Sequence, residues 1–187
     1  MTLLIESAIV EGNRAGVAGA FSLFNTNATI VNALIMDNKS DSNFANVMLL
    51  MQDTDVHMIN STVYGNNPTG DQAVHIDNGM LTVQNSIMWN NGLNLHADPP
   101  CPACFDVTYS DIEQTTPGTG NINKDPMFRD AAIFDLQLKP MSPCIDAGTA
   151  VDAPAKDIDG TPRDAKPDMG AYEYVAPIVY LAIVIDN

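Results

Sequence analysis

The chain has 187 residues and a formal net charge of −15, from 23 acidic residues against 8 Lys and Arg residues. This excess of negative charge argues against binding to nucleic acids and to anionic membranes, because both need Lys and Arg. Nineteen of the acids are Asp and 18 further residues are Asn, while 45% of the chain is apolar. Asp and Asn favour turns over helices, so we expect a β-rich globular protein with many tight turns.

Five segments of eleven residues align without gaps within the first 115 residues. Their centres are residues 6, 32, 60, 85 and 109, which gives a repeat of 24 to 28 residues. Apolar positions two residues apart indicate short strands, and a change of phase at each centre indicates a bend between two strands. A third strand is predicted upstream in the repeat, at 21–24, 47–51, 73–76 and 93–96. Three short strands per repeat predict a parallel β-solenoid of about four to five coils.

The centre of each coil carries a polar or bulky residue at the predicted bend. Asn tolerates the left-handed backbone conformation that such a bend needs, and stacked Asn amides can hydrogen-bond from coil to coil. We therefore predict a structural asparagine ladder formed by Asn32, Asn60 and Asn85. Glu6 and Tyr109 occupy the same position in the first and last segments.

Two of the segments resemble a known family. Asn60-Ser-Thr-Val-Tyr-Gly-Asn-Asn67 and Asn85-Ser-Ile-Met-Trp-Asn-Asn91 are similar to coils of the right-handed parallel β-helix proteins of bacterial surfaces, the pectate-lyase-like superfold. The resemblance covers about residues 2–115 and implies an all-β, right-handed parallel β-helix. It also implies an extracellular or bacterial cell-surface location, although the first six residues are not a secretory signal.

The composition changes after the coils, since eleven of the twelve Pro residues follow residue 98. Residues 125–174 contain Asp125-Pro-Met-Phe, Ser142-Pro-Cys-Ile-Asp-Ala-Gly148 and Asp168-Met-Gly-Ala-Tyr-Glu-Tyr174. This run resembles the choice-of-anchor Q type module that closes many secreted bacterial β-helix proteins. The change in composition predicts coils at 1–115, and the resemblance implies that the Pro/Asp-rich segment 116–174 is a cap. We expect 175–187 to be a terminal strand or the start of a missing domain, and the chain to be a fragment of a longer protein.

The superfold includes carbohydrate-active enzymes, so catalysis has to be argued from individual residues. A uronate lyase needs Lys or Arg beside the sugar carboxylate, and Lys39 is the only such residue between residues 15 and 123. A hydrolase needs two carboxylates at one groove. The aligned candidates are Asp53 and Asp55 next to Asp77, and Asp37 near Asp111 or Glu113. We interpret these acids as solvated turn residues and assign no catalytic residue.

An apolar row is predicted on the outer face of the second strands, at Met36, Tyr64 and Trp89. One hypothesis is a binding platform for sugar rings or for a partner protein. The other is that a loop or the C-terminal strand covers the row. His57 and His75 are interpreted as surface strand residues rather than as ligands.

Two further segments contain residue types that can bind metal ions. Cys101 and Cys104 lie in Cys-Pro-Ala-Cys, where a local disulfide or free thiols are favoured over a metal or redox site, since a fourth zinc ligand is missing. Asp157-Ile-Asp-Gly160 is similar to the start of a calcium loop but lacks the later ligands. Asp157 and Asp159 are therefore candidate calcium ligands, with a simple turn as the alternative, and no other cofactor is expected.

These observations predict a non-catalytic extracellular module, either a structural stalk or an adhesin-like module that binds carbohydrate. The alternative is a polysaccharide lyase, a glycoside hydrolase or a remnant of one. The expected partners are carbohydrate or a surface protein, without nucleic acid and without a membrane span. Exposed strand edges at the first coil predict end-to-end self-association.

Overall fold

The computed structural model describes residues 1–42, 44–68 and 72–177. Over these residues the chain is nearly all-β, with single 3-10 turns at Pro102–Cys104 and Ala131–Ile133. In chain order the strands are β1 Thr2–Glu6, β2 Ile9–Glu11, β3 Arg14–Ala15, β4 Phe21–Phe24, β5 Asn27–Val31, β6 Leu34–Met36, β7 Lys39–Ser40, β8 Met48–Met51, β9 Thr54–Ile59, β10 Thr62–Tyr64, β11 Gln72–Ile76, β12 Gly79–Gln84, β13 Ile87–Trp89, β14 Leu93–Ala97, β15 Phe105–Thr108, β16 Asp111–Ile112, β17 Phe128–Asp130 and β18 Asp135–Leu138. Most of the predicted terminal strand, 178–187, lies outside the described residues.

Three parallel sheets run the length of the coils. The first sheet has the order β1-β5-β9-β12-β15, the second β2-β6-β10-β13-β16 and the third β4-β8-β11-β14. Each strand pairs in parallel with the equivalent strand of the next coil. The protein is therefore a parallel β-solenoid of about four turns, and the fold class predicted from the repeat is confirmed.

The interior of the solenoid is a continuous apolar core. Residues that occupy the same position in successive coils stack on one another, because each coil repeats the same alternation of inward and outward side chains. Ile35, Val63, Met88 and Ile112 form one such column and are fully buried. Ala28, Val56, Leu81 and Phe105 pair in the predicted register on the first sheet.

The first coil differs from the prediction by one residue. Ile5 pairs with Ile30, and Val10 pairs with Ile35, so these two side chains face the core. Leu4 is instead 62% exposed. The left-handed bend also falls on Ser7 rather than on Glu6. The register predicted for coil 1 is wrong, because a shift of one residue exchanges the two faces of a strand.

Residues 125–174, here called the strap, lie against the outer face of the second sheet. A second apolar cluster joins them there: Leu34, Met36 and Ile87 come from the solenoid, whereas Phe128, Leu136, Leu138, Cys144, Met169 and Ala171 come from the strap. The last coil is covered by the residues just before the strap, since the Ile112 amide donates to the Ile122 carbonyl and the Tyr109 amide to that of Thr119. Most of the predicted cap thus packs along the side of the solenoid, and only the residues just before the strap cover the last coil.

Candidate functional site

A groove of about 620 Å³ lies where the strap meets the outer face of the second sheet. One wall is formed by Tyr64 and Trp89 of the solenoid, and the other by the strap turn that contains Asp125, Met127 and Asp130. Asn90, Phe128, Arg129, Ala131 and Lys139 complete the lining. Ligand sites in proteins are commonly concave and of this size, with aromatic walls and a few polar groups.

The aromatic wall comes from the predicted apolar row. Tyr64 and Trp89 occupy the same position on β10 and β13, and both are half-buried. Tyr64 makes edge-to-face contacts with Phe128 and Phe134 of the strap, at ring-centroid distances of 5.3 and 6.2 Å. Met36, the third member of the row, is buried in the strap interface. The strap therefore covers one end of the row and leaves Trp89 beside the groove.

The polar wall is a turn of the strap in which two carboxylates accept hydrogen bonds from backbone amides of the same turn. Asp125 accepts a hydrogen bond from the Met127 amide at 2.9 Å, and Asp130 accepts one from the Ala132 amide at 3.3 Å. Arg129 forms an ion pair with Asp135 at 3.2 Å. Among the described residues, no carboxylate lies within 4.0 Å of Lys139. The wall thus presents hydrogen-bond acceptors to the groove together with Lys139, which has no ion-pair partner among the described residues.

Each Asn of the predicted ladder contacts the strap. The side-chain amide of Asn32 donates to the Lys156 carbonyl at 2.7 Å, that of Asn60 to the Asp168 carbonyl at 3.1 Å, and that of Asn85 to the Thr149 carbonyl at 2.8 Å. Within the column only one coil-to-coil bond is present in the described residues, from Asn85 to Asn60 at 3.1 Å. The left-handed bends are present as predicted, with φ between 44° and 51° at these three residues. Their amides mainly attach the strap.

A different column carries the coil-to-coil asparagine bonds. Asn38 donates through its backbone and side-chain amides to Asn66 at 2.9 and 3.0 Å, and Asn66 donates in the same way to Asn91 at 3.0 and 2.9 Å. All three side chains are fully buried. The prediction did not include this column, although the aligned segments contain all three residues at one position.

A buried ion pair inside the strap lies beside the ladder, and its Arg163 also bonds to the ladder. Arg163 and Glu173 are 2.9 Å apart, and their side chains are only 2% and 6% exposed. Arg163 also donates to the Asn32 side chain at 3.1 Å and to the Gly170 carbonyl at 3.0 Å. Two charges that are removed from water in this way need each other as partners.

Asp111 lies in the same interface and not in the groove. Its carboxylate accepts hydrogen bonds from the Lys124 amide and from the Cys144 thiol, both at 3.1 Å. Burial raises the pKa of Asp111 to about 6, and burial together with the Asp111 charge raises the pKa of Cys144. None of the aligned hydrolase candidates Asp37, Asp53, Asp55, Asp77, Asp111 or Glu113 lines the groove.

The candidate calcium residues close a turn. One carboxylate oxygen of Asp157 accepts from the amides of Asp159 and Thr161 at 2.9 and 2.8 Å, and the other accepts from the Glu173 amide at 2.9 Å. The part of the chain that the structure describes contains no group of three or more His, Cys, Asp and Glu residues that could hold a metal ion. Calcium binding by Asp157 and Asp159 stays a prediction.

The cysteines and histidines lie away from the groove. Cys101 and Cys104 form a disulfide with an S–S distance of 2.08 Å, and Cys144 is a free, buried thiol. His57 is exposed on the first sheet between Thr29 and Thr82. The interpretation of His75 as a surface residue is wrong, because Phe44 and the neighbouring strands leave it only 3% exposed.

No protein-family model and no curated protein sequence matches this chain. Across the described ranges, no helix has the length and apolar character needed to cross a membrane.

Proposed function

We propose that this chain is a non-catalytic, extracellular carbohydrate-binding module of the adhesin or stalk type, which binds sugar rings in the groove between Trp89 and the strap. The observation that supports it is the position of Trp89, the only Trp of the chain, on the wall of a groove of about 620 Å³. We further propose that the coils belong to the pectate-lyase-like superfold and residues 125–174 to the choice-of-anchor Q type, on the motifs given above.

The chemistry of the groove suits a sugar. One face of a pyranose ring is lined with C–H groups and packs on an aromatic face, while its hydroxyls need hydrogen-bond donors and acceptors at the ring edge. Trp89 offers the aromatic surface. Asp125 and Asp130 offer acceptors, and Lys139 and Asn90 offer donors.

The support of the groove is rigid. Tyr64 is fixed by Phe128 and Phe134, and the strap turn is fixed by the hydrogen bond that the Met127 amide donates to the Asp125 carboxylate. A site whose side chains are already held in place loses less conformational entropy when a ligand binds. This rigidity favours a binding role for a protein that displays the groove on a stiff solenoid.

One observation favours an enzyme as the second candidate. Asp125 and Asp130 both line the groove, and paired carboxylates flank the scissile bond in most glycoside hydrolases. Each carboxylate, however, already closes a turn by accepting a backbone amide. A glycan that binds without being cleaved supports the module, whereas release of reducing sugar that Asp125→Asn and Asp130→Asn abolish supports the enzyme.

The binding test uses the single Trp as its reporter. A glycan array identifies ligands, and titration of the best ligand is followed by Trp89 fluorescence and by calorimetry. We expect a change in Trp89 emission, and about a tenfold or greater loss of affinity in Trp89→Ala and Asp125→Asn. Asp106→Asn, which removes an exposed acid on the first sheet, is the matched control and should bind normally. Absence of binding to any glycan, or equal losses in Asp106→Asn and Asp125→Asn, would refute the proposal.

We also propose end-to-end self-association through the first coil. Leu3, Ile5 and Val10 point toward the core but are only half-buried, whereas their counterparts in the next coil are fully covered. The outer edges of β1, β2 and β4 have no neighbouring strand among the described residues. Light scattering should show a mass that rises with concentration in the wild type. Ile5→Lys should abolish the rise, and a rise that persists in this variant would contradict the proposal.

A further inference from the structure

The two ends of the solenoid differ in how their strand edges are covered. At the C-terminal end, segment 114–122 bonds to the edges of β14, β15 and β16. The side-chain oxygen of Gln114 accepts a hydrogen bond from the Leu95 amide of β14 at 3.1 Å, and the Asn121 side chain donates to the Val107 carbonyl of β15 at 2.8 Å. β16 forms a parallel bridge to the same segment. This end is therefore capped by the chain itself and takes up no further strand unless the segment is displaced.

The N-terminal end has no such cover in the part of the chain that the structure describes. The outer edges of its strands β1, β2 and β4 pair with no other strand there. The inward side chains of this end pack on the core but are only partly buried; they are Leu3, Ile5, Val10 and Phe21. Unpaired strand edges beside an exposed apolar core are a template for pairing with another chain.

The outward side chains of the first coil are also apolar. Leu4 is largely exposed on β1, and it belongs to a column of the first sheet whose later members are all polar. These later members are Thr29, His57, Thr82 and Asp106. Ile9 of β2 and Phe24 of β4 are likewise more than half exposed. An outward position that is polar in every later coil thus carries an apolar residue in the first coil.

These outward residues indicate which kind of surface fits the N-terminal end. Neighbouring strands of a sheet lie about 4.8 Å apart, so a strand added beside β1 brings its own outward side chain next to Leu4. An apolar side chain is the favourable neighbour, because the contact removes apolar surface from water on both sides. The first coil of a second copy supplies such a side chain, namely its own Leu4.

The distribution of charge also favours a second copy of this end. Residues 1–24 contain Glu6, Glu11 and Arg14 as their only charged side chains, a formal charge of −1, in a chain with a net charge of −15. Residues 93–122, at the capped end, contain four acids and no Lys or Arg. Two copies of the chain therefore repel each other least when their first coils meet.

We propose that two copies of this chain form a closed head-to-head dimer through their first coils, in which β1 pairs antiparallel with β1 of the second copy. This dimer rests on the self-association proposed above and specifies its geometry. β1 is the longest of the three open strands and carries apolar side chains on both faces. With Leu4 opposite Leu4, Glu6 lies opposite Thr2, so no two acids face each other on this strand. Because the other end of each copy is capped, the assembly stops at two chains.

Sedimentation equilibrium of the 187-residue chain tests the stoichiometry. We expect the mass to rise with concentration and to level off at twice the monomer mass. A mass that stays at that of the monomer would refute self-association as a whole. A mass that continues to rise beyond the dimer would leave self-association standing and would overturn the closed dimer.

Cross-linking tests which ends meet. Leu4 and Asp106 occupy one column at opposite ends, so head-to-tail stacking would bring Leu4 of one copy next to Asp106 of another. A short bismaleimide is added to Leu4→Cys, to Asp106→Cys and to their mixture, with the wild type, whose free Cys144 is buried, as the control. We expect a covalent dimer from Leu4→Cys alone and no link between the two variants in the mixture. A link between residues 4 and 106, identified by mass spectrometry, would overturn the head-to-head arrangement.

A charge at the interface provides a matched pair of variants. Leu4→Lys places two ammonium groups opposite each other in the dimer, so its dissociation constant should rise at least tenfold. Met80→Lys is the control, because Met80 is an exposed apolar residue of the same sheet on β12, and this variant should dimerise as the wild type does. Circular dichroism checks that both variants fold. Wild-type dimerisation of Leu4→Lys, or equal losses in the two variants, would overturn the proposal.

Discussion

The interior of the solenoid and the interface between its second sheet and the strap are both well buried, but they are built in different ways. In the interior, apolar residues recur at the same position of each coil, as in the column of Ile35, Val63 and Met88. In the interface the contacts are individual, such as the hydrogen bond that Arg163, itself paired with Glu173 inside the strap, donates to the Asn32 side chain. The comparison shows that a repeat specifies the solenoid through many equivalent contacts, whereas single polar contacts specify where the strap lies.

The two regions should also respond differently to mutation. The contacts of a repeated column are distributed over several coils. One substitution therefore removes the contacts of one coil and leaves the equivalent contacts in the others. A buried ion pair has no substitute, because removal of one partner leaves the other charge buried without compensation. The following substitutions test this difference.

Arg163→Ala should produce the largest effect. Removal of the guanidinium leaves the Glu173 carboxylate buried, and we expect a loss of about 3–5 kcal/mol in the free energy of unfolding. Arg14→Ala is the matched control, because Arg14 pairs with Asp41 on the surface with 67% and 50% of the two side chains exposed. The control should lose about 1 kcal/mol or less. Equal losses in the two variants, measured by urea denaturation, would contradict the account.

Asn66→Ala and Asn60→Ala should separate the two regions. Each substitution leaves buried hydrogen-bonding groups unpaired and should cost about 1–3 kcal/mol. Within the described residues Asn66 bonds only to other coil residues, so its loss should shift the unfolding transition seen by circular dichroism. Asn60 bonds to the strap at Asp168, so its loss should mainly shift the transition seen by Trp89 fluorescence. The opposite pattern would show that the ladder assignments are reversed.

Ile5→Ala and Leu4→Ala test the register of the first coil. Ile5 faces the core but is only half-buried, so its truncation should cost about 1–2 kcal/mol, less than at a fully buried site. Leu4 is 62% exposed, so its truncation should change the stability by about 0.5 kcal/mol or less. Thermal denaturation compares the two variants. A larger loss of stability in Leu4→Ala than in Ile5→Ala would support the register that was predicted from the sequence.

Asp111→Asn should change how stability depends on pH. Burial raises the pKa of Asp111 from 3.8 to about 6, so the folded protein holds this proton more tightly than the unfolded chain. Asp111 therefore contributes stability that grows as the pH falls from about 7 toward about 4 and is lost as the pH rises through about 6. Melting temperatures across this range should rise more toward acid, or fall less, in the wild type than in Asp111→Asn. If the melting temperatures of the wild type and of Asp111→Asn change in parallel with pH, Asp111 does not contribute to the pH dependence of stability.

The sequence predicts the later coils well because their apolar and polar positions alternate clearly. In the first coil both Leu4 and Ile5 are apolar, as are Ile9 and Val10, so the pattern fits two registers. Only backbone pairing with β5 and β6 selects between them. The same ambiguity explains why the bend was predicted at Glu6 and lies at Ser7.

The candidate site is only partly predictable. Tyr64 and Trp89 follow from the alternation of the second strands, and a cover over Met36 was one of the two hypotheses. The strap residues that line the groove cannot be predicted in this way. Phe128, Asp125 and Lys139 belong to no repeat, and they meet the solenoid only through tertiary contacts. The stacking of Phe44 on His75 is of the same kind, since a connecting segment brings the ring onto a strand residue.

The most direct test of the account is whether the strap is attached to the second sheet in solution. The Gly170 amide donates to the Asn85 carbonyl at 2.7 Å, and the Ala171 amide donates to the hydroxyl of Thr62 at 3.0 Å. Amide hydrogen exchange measured by NMR should show strong protection at both residues, and Arg163→Ala should remove it while the Asn66 amide stays protected. Fast exchange at Gly170 and Ala171 in the wild type would contradict the attachment of the strap and, with it, the second wall of the groove.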